Sequence, residues 1–279
     1  MDSSNISFTA LYTGHVWYEN GMSAPFFTSN LGRLMYHSLR PAEMFASQFV
    51  GANLKQLLLQ RHTIIDHRIE QLIKDEGVTQ ILEIACGLSP RGYKFSRNYP
   101  NVHYVEADLP GMAARKKSLL QKEQALSEQH EVISCNFFES GAPNGLDYVL
   151  HEKLDPTKPT IIITEGLVNY FPLETIETVW KKISTLAKVF PKAWYMTDLI
   201  PKFENAPSYK YIRAGKWALG AVASADVSLH YTSDQTIEQG FKDCGFSDVT
   251  VHIPEDYYQK LPIPKSKAAT FVRVVEAKV

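Results

Sequence analysis

The apolar positions of this chain follow two periods in alternation. Ile64, Ile65, Ile69, Leu72 and Ile73 share one helical face, and Gly77 stands where a left-handed residue ends a helix. Short apolar runs of strand length follow: "QILEIA", "VHYVEAD" (102–108), "HEVISCNFF", "TIIITEG" and "AWYMTDLI". The fourth is rich in β-branched residues, as suits a strand buried on both faces. Helical patterns, "GMAARKKSLLQKEQAL" and "LETIETVWKKISTLAKVF", separate several of these runs, and a further helix is expected at 233–244. Strands alternating with helices predict an open α/β sheet, mostly parallel, with helices on both faces. The end of the chain differs. "SDVTVHI" and "ATFVRVVEA" are joined by a loop holding Pro254, Pro262 and Pro264, too poor in helix for a parallel crossover, so they are expected to pair antiparallel.

Two segments break the alternation. The first 60 or so residues mix aromatic and polar positions without a clean period and read as an irregular arm packed over something else. A helix is expected within it from Ala42 to Leu59, with Pro41 in the tolerant first turn. An aromatic, partly helical insert runs from about 201 to 232, at the edge of the sheet where ligands of doubly wound folds bind. The organisation expected is an arm over 1–60 and a main domain over 61–279 that carries the insert as a lid.

Bulk properties narrow the function by exclusion. Of 279 residues, 44% are hydrophobic and 21% charged, and the net charge is -1, so no basic footprint for nucleic acid or an anionic membrane is present. No apolar run reaches the roughly 18–20 residues of a membrane span. The three cysteines show no metal spacing, and "MDSSNISF" has no signal-peptide pattern, which gives the expectation of a reducing cytoplasm.

The chemistry is concentrated in "ILEIACGLSPRGY". The strand carries Glu83, a candidate cofactor-binding acid, and Gly87 follows four residues later, almost alone until Gly92. A dinucleotide lays its pyrophosphate on such a turn and needs several glycines for close backbone approach. S-adenosylmethionine has no phosphate, and one glycine lets its methionine arm pass. Glu106 and Asp108 stand at the end of the second strand, where an acid can bind ribose hydroxyls. On these residues alone, nucleotide binding and a non-catalytic sheet stay open.

Three motifs in order, "EIACGLSPRGY", "YVEADLPGMAARKK" and "ITEGLVNYFPLETI", resemble the leucine carboxyl methyltransferase family, and within it the bacterial tetracenomycin-type carboxyl O-methyltransferases. The resemblance implies the class I methyltransferase fold, a Rossmann-like seven-stranded sheet with an antiparallel last strand, and S-adenosylmethionine as donor. It implies that Arg61 holds the methionine carboxylate, and that Ala85, Cys86 and Gly87 form the turn beside it. Asp108, with Glu106, would bind the ribose, Asn136 and Phe137 the adenine, and Glu165 and Tyr170 would lie by the methionine arm. A helix-end role for Arg61 and a structural role for Glu165 are the plain alternatives. Cys86 is expected to be a small hydrophobe, not a nucleophile.

The acceptor remains to be chosen. A carboxylic acid is ionised at pH 7 and needs no base, whereas a phenol benefits from one. His15 and His230 are the candidate bases, with Tyr12 beside them, and Tyr12, Trp17, Tyr18, Tyr211 and Trp217 are candidate walls for an apolar small-molecule acceptor. A phenolic O-methyltransferase, a protein C-terminal carboxyl methyltransferase and a silent binding protein are the competing readings. No nucleic-acid or membrane partner is expected, and a homodimer is possible.

Overall fold

The computed structural model describes residues 4–49, 53–141, 143–202, 228–267 and 269–279. Seven strands among them form one sheet: β1 (Gln80–Ile84), β2 (His103–Asp108), β3 (His130–Ser134), β4 (Thr160–Thr164), β5 (Ala193–Leu199), β6 (Asp248–His252) and β7 (Arg273–Lys278). Their order is β3-β2-β1-β4-β5-β7-β6. The pairs β1–β2, β1–β4, β2–β3 and β4–β5 are parallel. Strand β7 runs antiparallel to both β5 and β6, as the Pro-rich link between β6 and β7 requires. Strand order reverses at β1 and β4, which places the ligand crevice beyond their carboxyl ends.

Alternation of side chains divides the core in two. Leu82, Ile84, Val105 and Ile162 meet α6 (Leu146–Glu152), α7 (Leu173–Leu186) and α8 (Asp234–Asp243) on one face. The Trp180 ring packs 4.3 Å from that of Phe241, and its Nε1 donates to the Tyr195 hydroxyl at 3.0 Å. Ile81, Tyr104, Ile161 and Ile163 meet α3 (Leu54–Glu76) and α4 (Arg91–Asn98) on the other. Helix α5 (Pro110–Lys122) lies against β2 and β3.

The N-terminal expectations need correction. The "irregular arm" opens with a helix, α1 (Ser4–Glu19), and α2 runs Asn30–Phe49 with Pro41 inside it. Two separate helices thus replace the one expected over 42–59, because the boundary is set by Asn53 and not by Pro41. The Asn53 side chain accepts from Gln56 N at 2.8 Å, and Gln56 Oε1 accepts from Asn53 N at 3.2 Å, a reciprocal cap that starts α3. Helix α1 showed no period because it is buried on several sides. Tyr12, Val16 and Trp17 pack with Tyr36, Leu58 and Leu59, while Leu11 packs with Leu88 and Met112. Gly87 lies against Ala10, with 3.2 Å from a built Gly87 Cβ to Ala10 Cβ. Residues 203–227 of the expected insert, including Tyr211 and Trp217, lie outside the described residues.

Gly92 fixes how closely α4 approaches the sheet. A Cβ there would lie 2.4 Å from Glu106 Cδ and 2.7 Å from His130 Nε2, both fully or nearly fully buried. Gly92→Ala is therefore expected to destabilise the fold by about 1–3 kcal/mol through overpacking. Urea unfolding measures it, and an unchanged midpoint would contradict this packing.

Candidate active site

Past β1 the chain turns through two left-handed residues, Ala85 (φ 54) and Gly87 (φ 49). For Ala85 this conformation carries a steric cost of roughly 1–2 kcal/mol, so the surroundings must hold it. Asp108, at the end of β2, does much of that. Its Oδ2 accepts from Gly87 N and its Oδ1 from Leu109 N, each at 2.7 Å. Burial raises the Asp108 pKa, while the two backbone donors oppose the shift.

Beside this turn, the ends of β4 and β5 and the start of α3 bring together a buried group of charges. Arg61 Nε donates to Glu165 Oε1 and its Nη1 to Asp198 Oδ2, both at 3.0 Å. Asp198 Oδ1 accepts from Gly166 N at 2.6 Å. Gly166 is left-handed (φ 68), and a Cβ there would fall 2.4 Å from Arg61 Nη2, so only glycine leaves the guanidinium its place.

The second oxygen of Glu165 faces Arg91, the first residue of α4. Arg91 is wholly buried and bonds three acids: Glu165 Oε2 at 2.5 Å, Asp66 Oδ1 at 2.6 Å and Glu83 Oε1 at 2.7 Å. His62 Nδ1 lies 2.8 Å from Glu165 Oε2 and 2.9 Å from Arg91 Nη2. Tyr104 donates to Glu83 Oε2 at 2.6 Å, and Lys94 reaches Asp66 Oδ2 at 2.9 Å. The group thus sets four carboxylates against three permanent cations. Burial alone would raise the Glu165 pKa, but His62, Arg91 and Arg61 outweigh it and hold the carboxyl well below its usual range.

The model of one protein family, described as leucine carboxyl methyltransferase, matches residues 24–184, more than half of this chain. The chain belongs to the leucine carboxyl methyltransferase family. A Streptomyces avermitilis protein, provisionally named an S-adenosyl-L-methionine-dependent methyltransferase, is 26% identical over 125 residues, 44% of this chain and 42% of the relative. Leucine carboxyl methyltransferase 1 of Eremothecium gossypii is 21% identical over 126 residues, 38% of each chain. The matches span about two-fifths of the length of these curated relatives. Among solved structures, a DUF574 family protein from Streptomyces avermitilis superposes with TM-score 0.64 at 13% identity, covering 97% of this chain and 96% of that one. Magnesium protoporphyrin IX methyltransferase from Synechocystis, solved with S-adenosylhomocysteine, gives 0.52 at 12%, covering 88% and 98%. These likenesses establish the fold: a Rossmann-like methyltransferase sheet.

Within this family member, the residues predicted as a cofactor site divide. Arg61 and Glu165 meet directly, and Asp108 braces the Gly87 turn. Tyr170, in the 3₁₀ turn Val168–Tyr170, lies near enough to Arg61 to act on it electrostatically. Asn136 follows β3, donating to Glu139 Oε1 at 2.9 Å, and Phe137 is buried beside Phe171. Glu83 and Glu106 need correction. Both are buried, and all four of their oxygens are engaged inside the protein. Glu106 shares Asp108's side of β2, but Lys116 (2.6 Å) and His130 (2.8 Å) hold it beneath α4 and α5.

The expected catalytic group also needs correction. Tyr12 is fully buried in the cluster with α2 and α3. His15 lies five residues from Ala10, hence about 140° around α1 from the face that meets Gly87. Its ring packs on Tyr36 at 5.3 Å and His37 at 6.2 Å, and lines a cavity of about 490 Å³ with Tyr18, Glu19 and Arg33. His230 is buried and donates from Nε2 to the Val168 carbonyl at 3.2 Å, and burial lowers its pKa. The Trp17 ring packs, tilted by 41°, 4.6 Å from that of His62, a wall of the charge group. Burial pushes the Cys86 thiol well up, which removes it as a nucleophile.

Sequence reasoning missed His62, Asp66, Arg91, Gly166 and Asp198. The signals existed. Arg91 follows the glycine turn directly, and Asp198 is the lone acid in an apolar strand. No group of three or more metal-type ligands, and no helix long and apolar enough to cross a membrane, occurs among the described residues.

The depressed Glu165 pKa makes stability depend on pH with a definite sign. Above the carboxylate's unfolded pKa its contribution is complete. As pH falls from about 5 toward 3, the unfolded chain takes up protons that the folded chain refuses, and stability drops. Glu165→Gln is expected to lower stability at pH 7 and to flatten this acid limb. Urea midpoints measured across pH for both proteins check it.

Proposed function

We propose that this chain is an S-adenosylmethionine-dependent O-methyltransferase of the tetracenomycin type, esterifying a carboxylate on a small, apolar or aromatic acceptor. The observation that carries the cofactor reading is the way Arg61 is held. Two acids fix its guanidinium, a glycine clears space for Nη2, and Nη2 makes no hydrogen bond among the described residues. An amino-acid carboxylate fits that position. Asp108 keeps further lone pairs for ribose hydroxyls at the turn. Asn136 and Phe137, past β3, are where an adenine would be read.

When bound, S-adenosylmethionine supplies an electrophilic methyl group on a sulfonium. The protein's work is then to align the acceptor and to keep water out. The two histidines bear on the acceptor class. His15 faces α2, and His230 is buried with one ring N–H given to the Val168 carbonyl. That favours an acceptor already ionised at pH 7, a carboxylate, over a phenol that needs deprotonation.

Two outcomes test these assignments separately. Arg61→Ala and Gly166→Ala are each expected to weaken S-adenosylhomocysteine binding about tenfold or more, by loss of a charged hydrogen bond. Calorimetry reads this, and a wild-type chain that binds nothing would overturn the cofactor assignment. For the acceptor, labelled donor and a panel of acids, phenols and amines should yield only base-labile methyl esters. Their rate should be nearly flat from about pH 6 to 9, because the acid is ionised throughout. Turnover of phenols alone, rising with pH, would overturn the carboxylate reading.

A further inference from the structure

We infer that Arg91 is a positioning residue that keeps Nη2 of Arg61 open for the ligand's carboxylate; this rests on the cofactor reading above. The Nε and Nη2 groups of a guanidinium form an edge that matches the two oxygens of one carboxylate. Glu165 already places Oε1 on Arg61 Nε at 3.0 Å. Its Oε2 would complete that edge by closing on Nη2. Instead Oε2 is drawn away, 2.5 Å from Arg91 Nη2, with His62 Nδ1 at 2.8 Å. Asp198 is treated the same way at the next nitrogen: Oδ2 meets Nη1, and the Gly166 N–H holds Oδ1 at 2.6 Å. Each acid therefore gives Arg61 a single oxygen, and Nη2 is left without a hydrogen bond among the described residues.

Arg91 cannot follow Glu165 if that side chain turns. It is wholly buried and pinned by Asp66 Oδ1 at 2.6 Å and Glu83 Oε1 at 2.7 Å. A lysine at this position keeps the charge but has no planar fork to span three carboxylates. Glu165 Oε2 then keeps only His62 Nδ1 at 2.8 Å, and turning to close on Arg61 makes it a competitor that an incoming carboxylate must displace. The effect is confined to ligands that carry the carboxylate, which a general loosening of the crevice would not be.

Calorimetry on the full chain with two probes tests this. S-adenosylhomocysteine has the amino-acid arm, and 5′-methylthioadenosine has the same adenosine and sulfur without it. Arg91→Lys is expected to weaken S-adenosylhomocysteine about tenfold or more, the loss of a charged hydrogen bond, and to leave methylthioadenosine unchanged. Asp66→Asn, which loosens the Arg91 anchor while keeping every cation, should shift the same ratio less. It carries the test alone if Arg91→Lys does not fold. Equal losses for both probes, or no loss for either, overturn the positioning role while the cofactor reading stands. A wild-type chain that binds neither probe overturns the cofactor reading and this inference with it.

Discussion

The structure depends on a buried arginine, Arg91, that three acids from three different elements share. Asp66 comes from α3, Glu83 from β1 and Glu165 from the end of β4. Such a group is a poor way to gain stability. Desolvating ions is expensive, and apolar residues of similar volume commonly serve as well or better. What the arrangement supplies is geometry. With Arg91 in place, the helix after the glycine turn, the long helix before the sheet and the two strands flanking the switch point cannot move independently. Removing one partner would leave an unpaired charge in the interior, so the group behaves as a unit.

A second buried set stands beside it. Glu106 accepts from Lys116 and pairs with His130, and Glu106 and His130 lie against α4 at Gly92. Glu106 is two residues before Asp108 on the same strand. The set therefore fixes the strand from which Asp108 braces the Gly87 turn. Two adjacent acids that a sequence presents as equivalent thus have separate tasks. Glu106 ties β2 to α5 and β3, while Asp108 holds the turn. Their difference comes from neighbours distant in sequence, at positions 116 and 130.

That is also why the fold was legible and much of the site was not. Alternating periods revealed the parallel strands, and the helix-poor Pro-rich link revealed the antiparallel end, because both are local properties of the chain. Boundaries failed where tertiary contacts decided them. Helix α1 is buried on several sides and so shows no stripe, while α2 runs through Pro41 to Phe49 and the Asn53 cap begins α3. The family resemblance implied that Arg61 and Glu165 serve the same methionine arm, and the structure brings the two side chains into contact. Nothing in one sequence reports that Glu83 is turned inward to Arg91 and Tyr104, or that His230 is held by a carbonyl at 168. Those are pairings between elements, and no spacing rule encodes them.

The lone glycine of the opening turn now has a physical account. A turn that binds pyrophosphate offers several backbone N–H groups to the anion. Here those groups are spent. Cys86 N donates to the Ala107 carbonyl at 3.2 Å, Gly87 N to the Asp108 carboxylate at 2.7 Å, and Ser89 N to the Cys86 carbonyl at 2.9 Å. A carboxylate already occupies the place a phosphate would need, so a dinucleotide would meet repulsion as well as missing donors. Negative charge on a ligand has to be read elsewhere, by a side chain. Arg61 of α3, beside Gly166 past the end of β4, is held with its fork partly unspent. A glycine-poor turn braced by Asp108 and a half-used arginine beside Gly166 thus differ in one respect: the Gly87 N–H is spent inside the protein, whereas Arg61 Nη2 makes no hydrogen bond among the described residues.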